Sequence, residues 1–89
     1  MKSVISVVGR DAVGIIAKVS SECAGCGVNI LDISQTLMQE YFAMIMLVDL
    51  SDCTVPFDVL NQHLKDKGAE RALDIHIQRQ DIFEAMHRI

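Results

Sequence analysis

Tryptophan is absent, proline occurs once, and the only aromatic side chains among the 89 residues are one tyrosine and three phenylalanines. A surface that stacks unpaired nucleobases needs several aromatics in a basic surround. Neither is present: acidic residues outnumber Lys and Arg by 12 to 8, for a net charge of −4 and a pI near 5.1. Nucleic acid and anionic membrane surfaces are therefore not expected partners. No run approaches the roughly 18 apolar residues of a membrane span. The apolar run after Lys2 is halted by Gly9-Arg10-Asp11, which is too early for a secretory signal. Three cysteines, an odd number, do not make a self-contained disulfide framework. Without an export signal, the expectation is reduced thiols and a cytoplasmic location.

What the chain does have is apolar residues, 51% of the total, enough for one domain and too few residues for two. A domain of this size buries only about 60–65% of its unfolded surface, so self-association adds useful stability.

Ser3 to Val8 is β-branched with partial alternation and reads as a strand covered at least in part on both faces. The glycine-bounded corner Gly9-Arg10-Asp11-Ala12-Val13-Gly14 follows. Asp11 suits the N-cap of a helix, and Gly14 leaves room for close approach to the backbone. Ala12, Ile16, Val19, Cys23 and Cys26 then recur at helical spacing, widened by Ile15, until Gly27 closes the helix. Cys23-Ala24-Gly25-Cys26 is a C-x-x-C. It lies at the C-terminal end of the helix and on its apolar stripe, where no dipole lowers a thiol pKa, so core packing is the expected role. No second Cys or His pair at zinc spacing accompanies it.

Val28 to Met38 reads as a second strand opened by Asn29, with Leu31, Ile33 and Leu37 on one face and Asp32, Ser34 and Thr36 on the other. Gln39-Glu40 is a tight turn. Tyr41 to Leu50 is almost continuously apolar, which predicts a strand covered on both faces. Pro56 starts a second helix whose stripe is Phe57, Leu60 and Leu64 and whose stop is Gly68. His63 falls beside that stripe as a surface or half-buried histidine. Leu73, Ile75 and Ile77 alternate with Asp74, His76 and Gln78 in a fourth strand, expected at a sheet edge. Asp81 to Ile89 begins with an Asp cap, carries Ile82, Met86 and Ile89 on one side, and predicts a short helical tail that needs a docking surface.

The order is strand, helix, strand, strand, helix, strand. This is a ferredoxin-like βαββαβ α+β sandwich, a four-stranded antiparallel sheet with two helices on one face and a short C-terminal helix. Residues 1–78 form the core of a single domain and residues 79–89 the tail. That fold hosts many functions, so the site must decide. A metallochaperone of this fold carries its cysteines on the first loop, where this chain has Gly9 to Gly14. A P-loop needs Lys and Ser/Thr after Gly14, where Ile15-Ile16 stand.

Val8-Gly9-Arg10-Asp11-Ala12-Val13-Gly14-Ile15-Ile16-Ala17-Lys18-Val19, with Gly27-Val28-Asn29-Ile30-Leu31-Asp32-Ile33-Ser34-Gln35, resembles the ACT domain, a small ligand-binding regulatory module. Ile33-Ser34-Gln35-Thr36 and the ending Ile82-Phe83-Glu84-Ala85-Met86-His87-Arg88-Ile89 resemble stand-alone bacterial and archaeal proteins made of one ACT domain. The resemblance spans essentially the whole chain. It implies binding of an amino acid or similar small carboxylate at a dimer interface. The first corner would meet the backbone atoms of the ligand, and the Asn opening the second strand of a neighbouring subunit would complete the site. Carried over, it suggests Asp11, Val13, Gly14, Asn29 and Ile30 as ligand-binding residues. Val13 stands where the motif often has Pro, and Gly9 where some amino-acid binders have a polar or imidazole side chain.

The expected function is a non-enzymatic small-molecule sensor in a homodimer or higher homo-oligomer, with a regulated protein as a further partner and no cofactor or metal. A ligand carboxylate would sit on the amides of Val13 and Gly14, and an amine would meet Asp11 or Asn29. The alternative is a protein-interaction module that regulates an enzyme or transcription factor without a ligand. No histidine is evidently paired with a nucleophile or acid, so an enzyme is not expected.

Overall fold

The β-branched run Lys2–Gly9 forms a strand, β1, that lies inside a four-stranded sheet, as its apolar content requires. The computed structural model describes residues 2–10 and 14–80. After β1 come α1 (Ile15–Gly25), β2 (Asn29–Met38), β3 (Tyr41–Asp49), α2 (Phe57–Ala69) and β4 (Asp74–Arg79). The strand order is β2-β3-β1-β4 with antiparallel pairing throughout, which is the ferredoxin-like arrangement. The tail helix expected over 81–89 lies outside the described residues.

Register decides the two faces. Ile5, Val7 and Gly9 of β1 stand beside Met46, Met44 and Phe42 of β3. All but Gly9 join Ile15, Val19 and Cys23 of α1 and Leu60 and Leu64 of α2 in one buried core. The opposite face carries Val4, Ser6 and Val8 beside Leu47, Ile45 and Ala43. Val4 is buried there, outside that core, while Ile45 is 46% exposed. The apolar run of β3 therefore does not report full cover on both faces.

β4 is an edge strand as expected, with Leu73, Ile75 and Ile77 inward. β2 is the other edge. Leu31 is an extra residue between the pairs Ile30/Val48 and Asp32/Leu47, a bulge that shifts the register. Ile33 and Leu37 share the helix-side face with Met46 and Phe42, yet they remain 37% and 67% exposed. The Gln39-Glu40 turn forms as expected, with Gln39 at φ 56°.

Both helices end alike. In α1 the Val28 amide donates to the Cys23 carbonyl and the Gly27 amide to the Ala24 carbonyl, with Gly27 at φ 74°. In α2 the Leu73 amide donates to Gly68 and the Ala72 amide to Ala69, with Ala72 at φ 56°. Both are Schellman closures. The helix thus ends at Ala69, one residue past the expected Gly68, and the left-handed closing residue is Ala72 rather than a glycine. Gly68 is instead buried within the helix, where a β-carbon would lie 2.9 Å from Ile75 and from the Leu73 carbonyl. Pro56, extended at ψ 157°, is the N-cap of α2, and its carbonyl accepts from the Leu60 amide.

Candidate functional site

The start of the corner after β1 is held from two sides. Gly9 lets Leu73 pack against the strand end: a β-carbon there would lie 2.3 Å from Leu73 Cδ2. Arg10 ties the corner to the β2–β3 hairpin, with Nη2 3.5 Å from Glu40 Oε1 and the guanidinium carbon 5.9 Å from the Tyr41 ring centroid. Asp11 and Val13 lie outside the described residues.

Gly14 takes φ 73°, ψ 1°, and is itself the N-cap of α1. The helix thus begins after Gly14, and the expected capping position at Asp11 is corrected. The left-handed conformation at Gly14 sets the helix start there, and the first intrahelical bond runs from the Lys18 amide to the Gly14 carbonyl. The inner stripe becomes Ile15, Val19 and Cys23, while Ile16 turns out to 38% exposure. Among the described residues no side chain caps the helix, and its first turn holds no acidic residue. Its opening amides and positive dipole end favour negative charge nearby. Arg71, from the α2–β4 connection, stands beside Gly14: a β-carbon on Gly14 would lie 3.5 Å from its Nη2. Arg71 is not legible as a neighbour in the sequence, because 57 positions separate it from Gly14 in the chain. No local pattern reports that contact.

Asn29 opens β2 opposite Asp49, and Ile30 is half-buried against the core. Asp49 accepts from the Ser51 hydroxyl at 2.7 Å and from the Ser51 amide at 3.0 Å. These bonds, the hydroxyl first, hold its carboxyl below its ordinary range. In one chain Asn29 and Ile30 are far from Gly14. Register sets Gly9 level with Phe42 and Leu37, and Asn29 level with Asp49 and Lys2. Seven residues of β3 separate those levels, about 23 Å of strand. The sheet thus brings Asn29 and Ile30 together at one end and leaves Gly14 at the other. The exposed edge of β2 runs between them.

A second group of ionisable side chains links α1 to α2 and its following turn. His63 Nε2 donates to Glu22 Oε2 at 2.6 Å, Lys18 lies 3.5 Å from Glu22 Oε1, and Glu70 stands 3.9 Å from both Lys18 and Lys67. His63 is half-buried as expected, but it has a carboxylate partner that the sequence did not reveal. A shallow depression beside it is lined by Asp58, Val59, Gln62 and Asp66 of the same helix.

Cys23 is buried, and burial, then the neighbouring Cys26, pushes its thiol up to about 11. This is the environment of a core cysteine. Among the described residues no group of three His, Cys, Asp or Glu side chains is placed to hold a metal ion. No helix among them is long and apolar enough to cross a membrane.

Comparison with known proteins fits this architecture. A family model described as ACT domain matches residues 3–78. A UPF0237 protein from Clostridium acetobutylicum is 54% identical over 89 residues, covering 100% of both chains. A UPF0237 protein from Methanocaldococcus jannaschii is 49% identical over 86 residues, covering 97% of this chain and 96% of its own. Among solved structures, the ACT domain protein from Streptococcus pneumoniae superposes with a TM-score of 0.83 at 45% identity, covering 98% of each chain.

Proposed function

The chain belongs to the ACT domain family of regulatory, small-molecule-binding domains, and from that premise we propose that it is a non-enzymatic sensor of an amino acid or similar small carboxylate, bound between two copies of the chain. The observation that carries the reading is the separation of Gly14 from Asn29 by the length of an exposed edge strand. Two β2 edges paired antiparallel about a two-fold axis satisfy their open backbone groups. The same pairing lays the Asn29 end of one copy beside the Gly14 end of the other and covers Ile33 and Leu37.

The corner suits a carboxylate, because the opening amides of α1, with the Arg71 guanidinium nearby, favour negative charge. Asp11, Val13, Gly14 and Arg71 from one copy and Asn29 and Ile30 from the other would surround the ligand. His63 and His76 are each paired with a carboxylate, Glu22 and Asp74. Both pairs lie on exposed or half-buried surface of α2 and β4, and neither has a nucleophile placed beside it in the described contacts.

The test is the melting temperature of the protein against a panel of amino acids and small carboxylates. A ligand at 100 times its dissociation constant adds about 2.7 kcal/mol, a rise of several degrees. A rise confined to a few compounds and lost in Asn29→Ala supports the sensor. A flat panel at millimolar concentration transfers the role to a protein-interaction module that works without a ligand.

A further inference from the structure

The end of α1 and the connection between β3 and α2 meet backbone to backbone, and both segments carry a cysteine. The Thr54 amide donates to the Cys26 carbonyl at 2.9 Å, and the Thr54 hydroxyl donates to the same oxygen at 3.3 Å. On the other side of Cys53, the Asp52 carbonyl oxygen presses on Gly27, where a β-carbon would lie 2.4 Å from it. Cys53 is thus bracketed by two contacts to the Cys26-Gly27 unit. These contacts hold Cys53 beside Cys26, close enough for the two thiols to act on one another electrostatically, and a disulfide needs Cα atoms about 4.4–6.8 Å apart. Cys26 and Cys53 are both half-buried and pack against the same core from its rim. Cys23 is fully buried on the inner stripe of α1 and faces away from solvent.

We infer that Cys26 and Cys53 are a thiol pair that closes to an intramolecular disulfide on meeting a small disulfide such as oxidised glutathione, tying the β3–α2 connection to the end of α1. The closure takes two exchanges. One protein thiolate attacks a sulfur of oxidised glutathione, forming a mixed disulfide and expelling one glutathione thiolate. The second protein thiolate attacks the protein sulfur of that mixed disulfide, forming the Cys26–Cys53 bond and expelling the second. The two protein thiols give up two protons and two electrons, and oxidised glutathione becomes two glutathione thiols. The C-x-x-C pair Cys23 and Cys26 is not the reacting pair, because Cys23 is sealed in the core.

Burial raises the Cys26 thiol above its ordinary value, so closure is slow at neutral pH and accelerates with pH. The bridge lies three residues before Asn29 and stands independently of any ligand. Its structural effect is to fix the start of β2.

The test incubates the folded full-length protein with oxidised glutathione at pH 8 and blocks residual thiols with N-ethylmaleimide. Digestion after Glu22 and Glu40 separates the fragment carrying Cys23 and Cys26 from the one carrying Cys53. The expected result is a mass loss of about 2 Da, a bridge joining the two fragments, and alkylation at Cys23 only after unfolding. Dithiothreitol reverses it, Cys26→Ser and Cys53→Ser abolish it, and the oxidised wild type melts roughly 5 °C or more higher. Persistent glutathione adducts without closure, a Cys23–Cys26 bridge, bridges between chains only, or no reaction would each overturn the inference. The wild-type fragment map decides the matter even if a serine variant folds poorly.

Discussion

His63 Nε2 donates to Glu22 Oε2 across 2.6 Å, although 41 positions separate the two residues in sequence. This bond joins the two helices over the core, and Lys18 and Lys67 add charge around it. The His63 hydrogen bond is the chief cause holding the Glu22 carboxyl below its ordinary 4.5.

A carboxyl lowered on folding stabilises the protein above its unfolded pKa, and that stability is lost as pH falls through the folded value. Melting temperature followed downward from pH 6 should therefore decline more steeply below about pH 4.5 in the wild type than in Glu22→Gln. Because both side chains touch solvent, a double-mutant cycle of Glu22→Gln with His63→Gln should return a coupling of only about 0.5 kcal/mol.

Gly27 and Ala72 occupy the same left-handed position in the closures of α1 and α2. Ala72→Gly should stabilise by about 0.5–1 kcal/mol in urea unfolding, since it relieves a positive φ that costs alanine more than glycine. Gly27→Ala should destabilise by at least about 2 kcal/mol, because the new β-carbon would also meet the Asp52 carbonyl. Opposite signs for one pair of residues at one structural position make this a stringent comparison.

Gly9→Ala should cost about 1–3 kcal/mol through its collision with Leu73, and the combination with Leu73→Ala should cost less than the two separate losses added together. Equilibrium unfolding of the four proteins measures the coupling directly.

Leu37→Glu should leave the monomer fold intact, because that side chain is 67% exposed. In the proposed dimer it is buried along the paired edge, so sedimentation equilibrium should show the dimer weakened by about tenfold or more.

The sequence carries local grammar well. Alternation located β4, the two-residue gap between strands located the Gln39-Glu40 turn, and Gly27 located the end of α1. Each signal is confined to a few neighbouring residues. What escaped depends on contacts between distant segments. Gly68 resembled a helix stop but is a packing glycine against Ile75, and Ala72 took the left-handed closing position in spite of its β-carbon. The Leu31 bulge is invisible in an apolar alternation that continues past it. The helix start fell to Gly14 because a left-handed residue ends the corner there, although Asp11 has the better capping side chain. At the site, the resemblance directed attention to Gly14 and Asn29. The distance between them, the charge of Arg71 and the neighbourhood of Cys26 and Cys53 needed the fold.

The central claim is that each ligand site takes Gly14 from one chain and Asn29 from another. It is tested most directly by calorimetric titration of mixed variants, using the compound that raises the melting temperature most. Gly14→Val and Asn29→Ala proteins should each fail to bind alone. After unfolding and refolding together, half of the dimers should be mixed, and each mixed dimer should hold one intact site. About a quarter of all sites should therefore regain wild-type affinity, as the symmetry of a two-fold interface requires. A mixture that binds no better than either parent would contradict a site shared between chains.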